Sequence, residues 1–126
     1  MMKNLLFVTA ILVASIMLAG ALSHSGQTIT DFSGKWQVRW LSNDSRNPLT
    51  LSQASGKFTG FYINDAKDHC SVSGEFAAAT RQVTLRIACP KWGIEMEGYA
   101  SLDGKLIVGK YLAYGNAVGG FTMTKK

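Results

Sequence analysis

The chain holds only two cysteines and two histidines in 126 residues. Neither cysteine belongs to a CxxC pair. His69 adjoins Cys70, but His24 lies far upstream, so no set of ligands at metal-binding spacing exists and a dithiol redox centre has no motif to stand on. A nucleophile elbow, a phosphate-binding loop and an HExxH pair are all missing, and with them any recognisable cofactor motif. Glu95 and Glu97 share one strand face, and the register derived below turns that face outward, which argues against carboxylates working in a sealed pocket. The expectation is a protein that is not an enzyme.

Acidic residues are also scarce. Eight Asp and Glu stand against 13 Lys and Arg, a net charge of +5 that becomes +4 once Lys3 is removed. The cations are scattered, with Lys125-Lys126 as the one cluster, whereas a nucleic-acid reader wants a basic stripe interleaved with stacking aromatics. A solvated basic surface is the reading, and no nucleic-acid partner is expected.

Residues 1–23 have the form of a signal peptide. Lys3 supplies a positive start, Leu5 to Leu18 an apolar run, and Ala19-Gly20-Ala21 or Ala21-Leu22-Ser23 a small-residue cleavage site. Extended through Leu22 the apolar stretch is about eighteen residues, so an uncleaved anchor competes; the small residues and the missing basic flank favour cleavage, with no stable membrane insertion afterwards. No cysteine follows Leu18-Ala19-Gly20, which removes the attachment point of a bacterial lipid anchor. Residues 24–30 read as a polar tail and 31–126 as one domain of modest core size, secreted or periplasmic.

What is present begins with the cysteines themselves. Cys70 opposite Cys89 sets Val72 opposite Ile87, Gly74 opposite Leu85 and Phe76 opposite Val83, while Ser71, Ser73, Glu75, Gln82, Thr84 and Arg86 fall on the other face. That is a β-hairpin with one buried face and a disulfide across its open end. Closing a loop of about 20 residues stabilises by roughly 3 kcal/mol in the chain-entropy model. An oxidising compartment agrees with the signal sequence.

No window beyond Asp31 carries a helical period. Strands read at Phe32–Trp40, Pro48–Gln53, Lys57–Asn64, His69–Phe76, Gln82–Cys89, Trp92–Leu102, Lys105–Ala113 and Ala117–Thr124. Turn residues separate them at Asn43-Asp44-Ser45, Ala54-Ser55-Gly56, Asn64-Asp65, Asp103-Gly104 and Tyr114-Gly115-Asn116. Asn43-Asp44-Ser45 also matches a glycosylation sequon, which is informative in a eukaryotic host alone. Such a meander predicts an all-β fold: an eight-stranded antiparallel up-and-down barrel, closed so that no edge is left.

A two-residue hairpin at Asp103-Gly104 pairs Ala100 with Ile107, Gly98 with Gly109, Met96 with Tyr111 and Ile94 with Ala113, all facing inward. The outward side of the seventh strand then carries Leu106, Val108 and Leu112. Such a face suits a second copy of the chain, with Val108 and Leu112 at the interface, although scattered surface apolar residues are ordinary. Inside, Phe32, Gly34, Trp36, Val38, Trp40, Phe58, Gly60, Tyr62, Met96, Tyr111, Phe121 and Met123 either fill the barrel or line a pocket with Ser42, Tyr62 and Asn64 as polar handles.

Ser33-Gly34-Lys35-Trp36 and the segment Ser55 to Ile63 resemble the opening hairpins of avidins and streptavidins, and the Gly-x-Trp element is shared by calycin barrels more widely. Glu97-Gly98-Tyr99, Tyr111-Leu112 and Val118 to Lys125 resemble the last three avidin strands. The resemblance implies non-enzymatic binding of a small hydrophobic or biotin-like ligand, with Ser42, Tyr62, Asn64 and Tyr111 at the ligand and Trp36 and Phe121 in the interior around it. Tyr62 and Ser42 match the residues that hold the ureido oxygen. Asn64 replaces a small hydroxyl residue and Tyr111 a stacking tryptophan. Val38 and Phe121 stand where the family has an asparagine and an aspartate on the ureido group, and Ile94 stands for a hydroxyl residue near the sulfur. The short Tyr114–Ala117 connection has no counterpart of the tryptophan lent by a neighbouring subunit, and the lid loop shrinks to about Asp65–Asp68. The resemblance therefore implies biotin binding that is weakened or lost, with the cysteine bridge stiffening the rim beside the shortened lid. The alternative is a packed, secreted interaction module, such as an inhibitor of a protease or lysozyme.

Overall fold

The computed structural model describes residues 30–113 and 117–126; the predicted signal peptide, most of the polar tail and the turn expected at residues 114–116 lie outside the described residues. Eight strands follow in order: β1 (Gly34–Trp40), β2 (Ser45–Ala54), β3 (Lys57–Ile63), β4 (His69–Ala77), β5 (Gln82–Ala88), β6 (Gly93–Ala100), β7 (Leu106–Ala113) and β8 (Ala117–Lys125). Each pairs antiparallel with its sequence neighbours, and β1 pairs with β8, so the sheet closes into an up-and-down barrel. This architecture is consistent with calycin and avidin-like folds.

Both registers derived from the sequence hold. Val72 faces Ile87 and Phe76 faces Val83 across β4 and β5, and the Cys70–Cys89 bridge continues that register with a Cα–Cα distance of 4.4 Å. Ile94 faces Ala113 and Ala100 faces Ile107 across β6 and β7. The turn between those strands is of another kind than expected. A two-residue type I′ hairpin needs positive φ at both central residues, but Asp103 does not adopt it. Gly104 does (φ 72°), its N–H donates to the Ser101 carbonyl at 3.0 Å, and Asp103 Oδ1 accepts from the Lys105 N–H. Gly104 also lies against Thr30, so a side chain there would clash as well as strain the backbone. By contrast Ser55 and Gly56 both have positive φ, as a type I′ turn requires.

β2 begins three residues before the expected Pro48. Ser45, Arg46 and Asn47 continue its ladder opposite Trp40, Arg39 and Val38. Pro48 lies just past the last β2–β3 pair, Leu49 with Tyr62, where β2 behaves as an edge towards β3 and the missing N–H is tolerated.

The barrel is filled from one end. Phe32 runs under β1 and plugs that end: its carbonyl accepts the Trp36 indole N–H at 2.8 Å, its N–H donates to Gln53 Oε1, and its ring meets Phe58 and Phe76 edge-on. Arg81 staples the same end, donating to the carbonyls of Ala100 and Ser101 while its guanidinium lies 5.4 Å from the centre of the Phe76 ring. Above Phe32, the fully buried Trp36, Val38, Leu49, Leu51, Phe58, Ile87, Ile107, Phe121 and Met123 form one continuous core. Among the described residues no helix is long and apolar enough to cross a membrane. The disulfide fits an oxidising compartment.

Candidate functional site

At the other end the packing stops short, and a cavity of about 340 Å³ opens to solvent. The alternation of each strand decides what lines it. Trp40 is the last inward residue of β1, Ser45 and Asn47 the first two of β2 and Tyr62 the last of β3, while Ile94 and Tyr111 face in from β6 and β7. The tight Asn64–Asp68 turn adds Asn64, Asp65 and Ala66, and the connection after β5 adds Trp92. Cys89 N–H donates to the Trp92 carbonyl at 2.8 Å, so the bridge that fixes Cys89 also fixes the backbone that presents this indole.

A chain of hydrogen bonds crosses the polar side of the cavity. The Trp40 indole N–H lies 3.0 Å from both Asn47 Oδ1 and the Tyr62 hydroxyl oxygen. Asn47 Nδ2 donates to Asp65 Oδ1 at 2.8 Å, and Ser45 Oγ lies 3.1 Å from both Asp65 oxygens. Asn47 is thus a buried polar side chain that is fully used, as burial demands. Burial, reinforced by the nearby Asp65 carboxylate and opposed by the Trp40 hydrogen bond, pushes the Tyr62 hydroxyl up to about 12. Tyr62 therefore stays protonated at neutral pH and keeps its own O–H as a donor towards the cavity, because its oxygen already accepts from Trp40.

The residues singled out from the sequence separate into three groups. Tyr62, Asn64 and Tyr111 line the cavity. Asn64, however, has both ends of its amide committed to the loop: Oδ1 accepts the Asp68 N–H and Nδ2 lies 3.3 Å from Asp68 Oδ2. Ser42 sits outside the lining, in the β1–β2 turn, with Oγ 2.8 Å from the Tyr111 hydroxyl rather than beside Tyr62. Trp36 and Phe121 belong to the packed core below; Phe121 reaches the site through Trp40, with ring centres 6.4 Å apart. Val38 is apolar and fully buried, but the residue opposite it on β2 is Asn47, so an asparagine amide does reach the polar end from the neighbouring strand.

Sequence reasoning missed Asn47, Asp65, Ser45 and Trp92. Asn47 was readable, because the alternation of Leu49 and Leu51 extended back by two residues places it inward. Among the described residues no three His, Cys, Asp or Glu side chains come together as a metal site.

A second concavity, about 920 Å³, lies on the outside of β4 to β8. Its walls are outward residues of both charges, Arg86 and Lys110 beside Glu75, Glu95 and Glu97, with Leu112 and Val118 at one end. Tyr111 borders both spaces; its ring lies over Gly119, where any Cβ would come within 2.9 Å of it. The lining offers a protonated phenol, one carboxylate hydrogen-bonded to the Ser45 hydroxyl and four aromatic rings around an open void, groups that supply hydrogen bonds, one charge and ring faces. No protein-family model and no curated protein matches this chain.

Proposed function

We propose that the chain is an exported, avidin-like barrel that binds a small ligand without chemistry, in the cavity at its open end. The observation that carries this reading is the contrast along the axis: a filled core up to Phe121 and Met123, then a void with polar groups on one side and aromatic walls on the other. Biotin-type recognition is weakened or lost in this reading. Val38 and Phe121 offer no polar atom, and the Asn64 amide is occupied by Asp68. Each unmade hydrogen bond to a buried polar head costs about 1–3 kcal/mol, and 1.4 kcal/mol is tenfold in affinity. Export rests on the apolar segment within residues 1–23 and on the disulfide.

Calorimetry with biotin and a fragment library against wild type and Tyr62→Phe tests the proposal. The expected result is no nanomolar biotin complex, together with fragment binding that perturbs Trp40, Tyr62 and Trp92. Nanomolar biotin affinity would overturn the weakened-site argument, and a library without a single binder would overturn the ligand reading.

A second reading, an interaction module, is favoured by the outer trough. Val108 and Leu112, 46% and 44% exposed, lie near exposed Val118 and Tyr99, and the charged residues around them carry both signs. A face that holds both signs can pair with itself about a two-fold axis, so its occupant in this reading is a second copy of the chain. Sedimentation at several concentrations should give a dimer that Leu112→Glu dissociates. A strict monomer at every concentration removes this reading and leaves the cavity untouched.

A further inference from the structure

We propose that the ligand of the open-end cavity is a small organic cation, an alkylammonium ion held between the Asp65 carboxylate and the aromatic rings of Trp40, Tyr62, Trp92 and Tyr111. This rests on the reading of that cavity as a binding site and adds the charge and chemical class of what it takes.

Three observations point the same way. First, Asp65 is the single charged side chain in the lining of the cavity, in a protein whose overall balance is basic. The ion pairs among the described residues join Arg39 and Arg46 to Asp44 and Arg86 to Glu95, and none involves Asp65. Second, the groups that hold Asp65 are neutral donors. Asn47 Nδ2 and Ser45 Oγ orient its carboxylate without cancelling its charge, and Asn47 is in turn fixed by the Trp40 indole. The negative charge is therefore both placed and left over. Third, the remaining walls are electron-rich. Trp40 meets Tyr62 and Tyr111 edge-on, with ring centres 6.0 and 4.9 Å apart, and Trp92 closes the side held by the disulfide turn. Aromatic faces attract cations through their quadrupole, and a carboxylate beside them adds a full charge to the same field.

The Tyr62 hydroxyl responds to that field: after burial, Asp65 is what raises it, which means the carboxylate disfavours negative charge inside the cavity. The same field that disfavours a phenolate favours an ammonium. An anionic ligand finds no lysine or arginine in the lining to receive it.

The test uses choline, n-butylammonium and the neutral isostere in which carbon replaces the choline nitrogen, titrated against the folded protein by calorimetry and tryptophan fluorescence. Both cations should bind at least about tenfold tighter than the isostere. Asp65→Asn, which keeps the shape, should weaken the cations about tenfold and leave the isostere unchanged. Trp92→Leu, which touches none of the hydrogen bonds around Asp65, guards against misfolding of the first variant and should weaken the cations more than the isostere. An isostere that binds as well as choline, or cations indifferent to Asp65→Asn, would overturn the proposal. Ethyleneurea, a neutral cyclic urea, separates this failure from that of the site. If it binds in a Tyr62-dependent way while the cations do not, the cavity stands and the cation falls; if no probe binds, both fall.

Discussion

The two ends of the barrel are built from similar residues put to different uses. At the plugged end Phe32, Phe58 and Phe76 meet as hydrocarbon, the Trp36 indole and Gln53 hold the Phe32 backbone, and Arg81 ties two turns together through backbone carbonyls. At the open end Trp40, Tyr62 and Tyr111 meet with comparable ring separations, yet each carries a polar atom that is hydrogen-bonded: Trp40 to Asn47 and Tyr62, Tyr111 to Ser42. With tyrosine and tryptophan in place of phenylalanine, the open end carries buried N–H and O–H groups that need partners, and the partners Asn47 and, through it, Asp65 bring polar atoms to the cavity wall. Stability should therefore concentrate at the Phe32 end, and recognition at the Tyr62 end.

The sharpest way to break that contrast is to cut each end once. Phe32→Ala removes a fully buried ring from the plug and should lower the unfolding free energy by about 3–5 kcal/mol in denaturant titrations. Tyr62→Phe keeps the ring and releases only one acceptor of a shared indole N–H, whose other acceptor, Asn47, remains; it should cost less than about 1 kcal/mol at neutral pH. Equal losses would sink the division of labour. Next in size is the bridge. Replacing Cys70 and Cys89 together by serine should cost roughly 3 kcal/mol. Because the Cys89 N–H holds Trp92, the variant should also alter the Trp92 fluorescence, which a change confined to the plugged end would not do.

The strands and both central registers were legible in the sequence because period-2 alternation and two fixed points, Cys70–Cys89 and the Asp103-Gly104 turn, leave a single pairing that buries the apolar face. The site was legible only in part. Tyr62 and Tyr111 sit on strands, so alternation finds them. Asn47 was hidden by Pro48, which reads as a strand start but lies inside β2. Asp65 and Trp92 lie in connections, where orientation follows from single backbone hydrogen bonds such as Lys67 N–H to the Asn64 carbonyl and Cys89 N–H to the Trp92 carbonyl, and no periodicity encodes those. The Asp103-Gly104 hairpin held its register but not its turn type, since only the glycine takes positive φ.

The ends also differ in pH response. The Tyr62 hydroxyl stands at about 12 in the folded barrel against an ordinary 10.0, so between those values the unfolded chain loses a proton that the folded one keeps. Stability must fall as pH rises through that window, by at most about 3 kcal/mol before solvent screening reduces it, and the neutral range is unaffected. Urea midpoints of wild type and Tyr62→Phe should differ little at neutral pH and cross above pH 10, the variant becoming the more stable, because the wild type alone carries this loss. Parallel curves would mean that the open end is wetter than its geometry implies.

The smallest effect belongs to the plugged end and has the opposite sign. Ser101 Oγ and the Lys105 N–H hold the Asp103 carboxyl below its ordinary 3.8. A depressed carboxyl stabilises the fold above its unfolded value and ceases to do so as pH falls through the folded one. The group is fully exposed, so solvent screening keeps its contribution slight. Asp103→Asn should therefore leave neutral stability almost unchanged and flatten the acid limb of the urea midpoint below about pH 4. A variant as acid-sensitive as the wild type would place that limb elsewhere, in the other exposed carboxyls held by hydrogen bonds, Asp31 and Asp44, and the turn would then owe its shape to Gly104 alone.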